Sequence, residues 1–344
     1  MKRITACILI VAMLFLMVSC NGTAVSSERP KASQTGSCTI GMSFDSFVIE
    51  RWTRDRDVFV ATANDLGAEV NVQSANGDID TQISQIEYFI DIKVDCIVVV
   101  TIDSDALTAV IKQAKEAGIP VICYDRIVRN AGADLYISFD NEAVGDQMGE
   151  AICDKIGDDG DVVEICGPQS DYNVEQVMGG FNAVMGEHSE NIVLSCNCDE
   201  WRPELAYDFV NDNIDTITEA DAIMCGNDSL AGEVVHALAE RGLAGKICVV
   251  GQDAELEACQ RIVEDTQLMT VFKPVEKLAS LAAECAVKLA KGISLGDYDY
   301  FNDGTSDIPY IAIEPVAVTK ENIDDVIIDS GFHTHDDVYM NVDG

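Results

Sequence analysis

Cations are scarce in this chain. Its 344 residues hold 22 Lys and Arg against 60 Asp and Glu, giving a formal net charge of -38 and an isoelectric point of about 4.1. A surface this acidic repels phosphate backbones and anionic headgroups, which sets nucleic acid aside as a partner; its plainest role is solubility. Histidine is equally sparse. The four present are His188, His236, His333 and His335, and none sits where a predicted strand ends. There is no Gly-x-Ser-x-Gly elbow, no P-loop and no His-Glu-x-x-His, so the common signatures of a nucleophile, a nucleotide or a zinc peptidase are missing. No Gly-x-Gly-x-x-Gly follows the first strand, which argues against a dinucleotide. Cys-x-x-Cys pairs are absent, and Cys196-Asn-Cys198 has no nearby His pair to complete a zinc site. His333-Thr-His335 reads as solvated surface rather than as metal ligands. Neither a metal nor a cofactor is implied. Tryptophan occurs only twice, as Trp52 and Trp201.

A long apolar run lies at the start. Lys2 and Arg3 precede apolar residues 6–18, and Ser19-Cys20 closes the run. This is the pattern of an export signal, too short and wrongly flanked for a lasting membrane span. Leu16-Met-Val-Ser-Cys20 resembles a bacterial lipobox, which would leave Cys20 as a lipid-bearing, membrane-attached N-terminus. The expected division is therefore a signal peptide over 1–19 and a lipidated N-terminus with a flexible Ser/Thr/Ala/Gly-rich tether over 20–37. Export would permit disulfides among the 13 cysteines. Yet Cys96, Cys123, Cys166, Cys225 and Cys248 fall inside predicted buried strands, where a free thiol behaves as a small apolar side chain. Mostly free thiols are expected.

The remaining length suffices for two cores. Ile119-Pro-Val-Ile-Cys-Tyr-Asp125-Arg126 shows the governing pattern. Gly118 ends a helical stretch, an apolar run follows, and the run stops at an acid beside a base. Such runs read as strands buried on both faces of a parallel sheet. Others end at Asp45, Asp103 and Asp140 in the first half, and at Gly167, Asn227, Asp253 and Lys273 in the second. Helical patterns lie between them. After the first strand Ser46 is a cap candidate for a helix carrying Val48, Ile49, Trp52, Phe59 and Leu66. Asp80 is the cap candidate for the next. The fold class is α/β: two doubly wound, Rossmann-like domains. Ligands of open α/β sheets bind beyond the carboxyl ends of the strands, and those of paired domains bind in the cleft between.

The exit residues form a chemical set: Asp45, Arg51, Trp52, Asp125, Arg126, Asn173, Trp201, Asn227, Asp253 and Lys273. Carboxylates accept, Arg and Lys donate, and amides do both. That mixture suits a ligand covered in hydroxyls, and indole faces suit the C–H face of a sugar ring. Arg51 stands in a first helical turn, where a cation opposes the helix dipole; local conflicts of this kind collect at functional sites. Paired acids leave a glycosidase open as another reading. A transcription regulator of similar shape would need a basic DNA-binding arm where the export signal stands.

Several motifs are familiar: Glu50-Arg51-Trp52, Val72-Gln-Ser-Ala-Asn-Gly77, Tyr124-Asp125-Arg126, Tyr136-Ile-Ser-Phe-Asp-Asn141, Gly251-Gln-Asp253-Ala and Thr270-Val-Phe-Lys273-Pro274. With them, from about Ile40 to Phe332, the chain resembles the type I periplasmic sugar-binding proteins of ABC importers. The resemblance implies that the ten exit residues hold a monosaccharide, D-xylose or a similar aldose. It also implies a monomer that closes about a three-strand hinge and delivers the sugar to an ABC permease, or feeds a chemoreceptor or sensor kinase instead. No cofactor and no catalysis are implied. The lobes would be 38–139 plus 274–310 and 140–273 plus 311–335, with a tail over 336–344 and crossings near Asp140, Lys273 and Ile311. One departure stands out: Pro168-Gln-Ser-Asp-Tyr-Asn173 carries Tyr172 where a smaller polar residue is expected.

Overall fold

The structure is a computed structural model that describes residues 37–157, 160–188 and 191–342. The expected signal peptide, Cys20 and nearly all of the tether lie outside the described residues. The chain first forms β1 (Cys38–Phe44), α1 (Arg51–Asp65), β2 (Ala68–Ser74), α2 (Ile79–Asp91), β3 (Cys96–Val99), α3 (Thr108–Glu116), β4 (Val121–Tyr124) and β5 (Leu135–Phe139). It continues with α4 (Asn141–Ile156), β6 (Asp161–Cys166), α5 (Tyr172–His188), β7 (Asn191–Asn197), α6 (Pro203–Asp212), α7 (Ile214–Ile217) and β8 (Ala222–Cys225). Next come α8 (Asp228–Ala239), β9 (Cys248–Gln252), α9 (Leu256–Val263) and β10 (Met269–Phe272). The last elements are α10 (Val275–Ala290), β11 (Asp299–Asn302), β12 (Asp307–Ile313), β13 (Val316–Thr319) and α11 (His335–Val338).

Two sheets result. One runs β11-β12-β5-β4-β3-β1-β2, the other β13-β10-β9-β8-β6-β7. Pairing is parallel except at β11 and β13, which lie antiparallel at the edges. The orders β2-β1-β3-β4-β5 and β7-β6-β8-β9-β10 are the same doubly wound arrangement, so both switch points and strand exits face one cleft. Alternation along β4 shows why its run is apolar throughout. Ile122 and Tyr124 enter one core while Val121 and Cys123 enter another on the opposite face. Cys96, Cys123, Cys166, Cys225 and Cys248 are all free thiols.

Four local expectations shift. Ser46 does not cap α1, which starts at Arg51, because 45–50 forms a loop that brings Ile49 into the cavity wall; Val48 and Leu66 are exposed. Asp78, not Asp80, caps α2, its Oδ1 accepting from Thr81 N at 2.6 Å. The third passage between lobes falls between Ile313 and Val316, because β12 stays paired to β5 through Ile313 and Phe139. His333 is not solvated surface: it is half-buried, with Nε2 2.8 Å from the Ala254 carbonyl, and burial pushes its pKa down.

Candidate functional site

The exits of β4 and β9 match across the cleft. Asp125 and Asp253 both hold positive φ, +63° and +100°, a region uncommon for a residue with a side chain. Such backbone costs on the order of 1–3 kcal/mol and survives only when its surroundings over-determine it. They do. Asp125 N donates to Ile137 O at 2.8 Å, and its carbonyl accepts from Ser138 Oγ at 2.6 Å and Asn173 Nδ2 at 3.2 Å. Asp253 N donates to Val271 O at 2.9 Å. The two carboxylates are thereby turned toward the cleft rather than along the strands.

Ion pairs then interlock. Arg51, the first residue of α1, pairs through Nη2 with Asp125 and sits 3.7 Å from Asp55. Its conflict with the helix dipole is therefore offset by two buried acids. Asp55 lies in the buried stripe of α1, where burial pushes its carboxyl up to about 7 against the pull of Arg51 and the Tyr124 hydroxyl. Burial also opposes ionisation of Asp125, but Arg51, Lys273 and Arg126 outweigh it and hold that carboxyl below its usual range. Arg126 joins the lobes: Nη1 lies 2.7 Å from Asp45 Oδ2 and Nε 2.7 Å from Asp171 Oδ2. Lys273 Nζ is 3.4 Å from Asp253 Oδ1.

The indoles are set from both sides. Trp52 packs in the core of the first lobe beside Arg51, whose Cζ lies 4.2 Å from its ring centroid. Trp201 lies flat on two glycines at strand exits. A Cβ at Gly167 would fall 2.3 Å from its ring, and one at Gly226 would fall 3.2 Å from it. Its Nε1 donates to Asp171 Oδ2 at 3.2 Å, which ties the ring to the Arg126 bridge.

These groups surround a cavity whose empty space, open mouth included, is about 460 Å³. Arg51, Trp52, Asp125, Arg126, Asn173, Trp201, Asn227, Asp253 and Lys273 all line it. Asp45 does not; it stands behind Arg126. Sequence reasoning missed Asp171 and Gln252, and the apolar Ile49, Cys166, Val174 and Val177. Asp171 lies two residues before Asn173 in the Pro168–Asn173 stretch, and Gln252 lies inside Gly251-Gln-Asp253.

Several lining side chains keep a buried polar atom that makes no hydrogen bond within the protein. The donors are Arg51 Nη1, Trp52 Nε1 and Asn227 Nδ2; the acceptors are Gln252 Oε1 and Asp253 Oδ1, the last of which makes no hydrogen bond beyond its ion pair with Lys273. Neighbours fix which end is spare. Asn227 Oδ1 caps α8 through Leu230 N at 2.9 Å, leaving its NH2. Gln252 Nε2 donates to Gly226 O, leaving its carbonyl. An unsatisfied buried group costs about 1–3 kcal/mol, so the cavity favours a ligand that both donates and accepts.

A family model described as periplasmic binding protein domain matches residues 40–294. The D-xylose-binding periplasmic protein of Haemophilus influenzae is 38% identical over 305 residues, covering 87% of this chain and 92% of that one. Its Escherichia coli counterpart is 38% identical over 323 residues, covering 92% and 97%. Among solved structures, an ABC transporter solute binding protein from Clostridium phytofermentans with bound β-D-glucose superposes with a TM-score of 0.78 at 29% identity, covering 87% of this chain and 99% of that one.

Proposed function

Because this chain belongs to the periplasmic binding protein family, we propose that it is an extracytoplasmic receptor that captures a monosaccharide, D-xylose first among aldoses, and delivers it to an ABC importer. The observation that carries this reading is the cavity between Trp52 and Trp201, with its spare donors and acceptors. A sugar hydroxyl gives and takes one bond each, so a ring of hydroxyls satisfies both kinds at once. Capture shifts an open–closed equilibrium toward the closed form, which the permease meets. The residues proposed to hold the sugar are Arg51, Trp52, Asp125, Arg126, Asn173, Trp201, Asn227, Asp253 and Lys273, joined by Gln252; Asp45 and Asp171 act by holding Arg126.

Catalysis fits poorly, and the protein is proposed as a binder, not an enzyme. A glycosidase needs a carboxyl that keeps its proton beside a second acid. Asp125 is held below its usual range by three cations, and Asp45 and Asp171, though raised by burial, are both tied to the Arg126 guanidinium. Tryptophan fluorescence titrated with D-xylose, glucose, galactose, arabinose and ribose tests the reading. A saturable change, tightest for D-xylose, is expected; a flat response to every sugar would refute capture. Action as a monomer belongs to the same proposal, as does attachment to the membrane by lipid on Cys20, which rests on the lipobox-like Leu16-Met-Val-Ser-Cys20. Cys20→Ala is expected to move the protein from the membrane pellet to the soluble fraction. Continued sedimentation with membranes would contradict the anchor.

A further inference from the structure

The segment from Pro168 to Asn173, a loop running into the first turn of α5, does more than line the cavity. Four consecutive residues in it each reach the opposite lobe. Ser170 O accepts from Ser104 N at 2.9 Å. Asp171 Oδ2 meets Arg126 Nε at 2.7 Å. Tyr172 N donates to Ser104 Oγ at 3.1 Å. Asn173 Nδ2 donates to Asp125 Oδ1 at 3.1 Å.

The Tyr172 ring extends the contact away from the cavity, which it does not line. It meets Phe301 edge-on, centroids 6.2 Å apart at 78°, and lies under Arg129, whose Cζ is 5.2 Å from its centroid. Both partners are braced. Arg129 Nε donates to Asp105 Oδ1 at 3.1 Å. Phe301 packs on Tyr136 and Tyr310, at 5.2 Å and 5.4 Å between centroids. A small polar residue at this place would make neither ring contact.

We propose that Tyr172, with Ser104, Arg129 and Phe301, forms a clasp outside the cavity that sets affinity by holding the lobes closed. The inference rests on the sugar-capture reading. A group that acts only on the closed fraction multiplies every dissociation constant by the same factor, because apparent affinity scales with the competent population. It is a positioning residue, and it does not choose between sugars. The shape of the contact matters more than the hydroxyl, whose bonds are not used in the clasp.

The test compares wild type, Tyr172→Ala and Tyr172→Phe by calorimetric titration with D-xylose and with any second sugar that wild type binds. Tyr172→Ala is expected to raise each dissociation constant by the same factor, about three- to tenfold for one lost aromatic contact. Tyr172→Phe is expected to restore wild-type affinity, and thermal unfolding of the sugar-free protein to stay put. Unchanged affinity in Tyr172→Ala overturns the clasp. So does a factor that differs between sugars, since that would place Tyr172 in the ligand's own contacts. Should wild type bind no aldose, sugar capture fails by itself. The clasp is then judged by small-angle scattering of the sugar-free proteins: a larger radius for Tyr172→Ala supports it, and identical curves overturn it.

Discussion

Arg126→Ala is expected to weaken sugar binding by about 3–5 kcal/mol, roughly two to four orders of magnitude, and to regain part of the loss in acid. Burial works against the Arg126 charge, but Asp171, Asp45 and Asp125 outweigh it and keep the guanidinium cationic. Removing it strands the buried carboxylates of Asp45 and Asp171, which face one another from different lobes. Closure then brings two uncompensated anions together. Burial already pushes both carboxyls up despite Arg126, so without it they hold protons still further up the scale. The penalty is greatest where they are ionised and shrinks as pH falls. Calorimetric titration with D-xylose at pH 5, 6, 7 and 8 checks this. Wild-type affinity in the variant would place the sugar elsewhere, and a loss independent of pH would remove the two carboxylates from the explanation.

The second large effect concerns stability. Behind Asp253, Glu255 is pushed up to about 9, by burial first and then by Asp228 and Asp253. Asp228, itself pushed up to about 7 by burial, accepts from Gln267 Nε2 at 2.8 Å, Thr270 Oγ1 at 2.6 Å and Glu255 N at 3.2 Å. With these acids raised, the folded protein keeps protons that the unfolded chain releases from about pH 4 upward. The stability these two acids contribute is therefore full below about pH 4 and declines above it, until about pH 7 for Asp228 and about pH 9 for Glu255, at about 1.4 kcal/mol per pH unit for each such proton. Glu255→Gln removes one of them. Its amide carbonyl can still accept from Ser229 Oγ, now 2.6 Å from Glu255 Oε1. Thermal unfolding curves are expected to coincide near pH 4 and to separate as pH rises, the variant melting several degrees higher at pH 9. Parallel curves across that range would rule out Glu255 as the source.

What could be read from the residue order, and what could not, follows from the range of the interactions. Asp125-Arg126 was legible because an apolar run ended on them, and a buried parallel strand must end somewhere polar. Arg51 was legible as a local conflict, and its buried partners resolve that conflict. Asp171 was not: its loop is polar throughout, and its role depends on Arg126 in the other lobe. Val174 and Val177 follow the same spacing as core residues on any helix, so nothing local marks them as cavity wall. Ser46 is a good local cap candidate, but a loop that carries Ile49 into the cavity wall delays the start of α1 to Arg51. Pairing of β12 with β5 likewise carried the third passage past Ile311 to follow Ile313.

The passages between lobes bear on how the molecule is made. On a ribosome or in an export channel, β5 emerges long before β12, its neighbour in the sheet, and β10 before β13. Until those late partners arrive, each nascent sheet ends in an open apolar edge; Leu135–Phe139 is buried throughout once β12 has docked. Bare edges of that kind recruit other chains. The interval between synthesis of β5 and of β12 is therefore one in which the first lobe's sheet carries an apolar edge with no neighbour of its own chain to cover it.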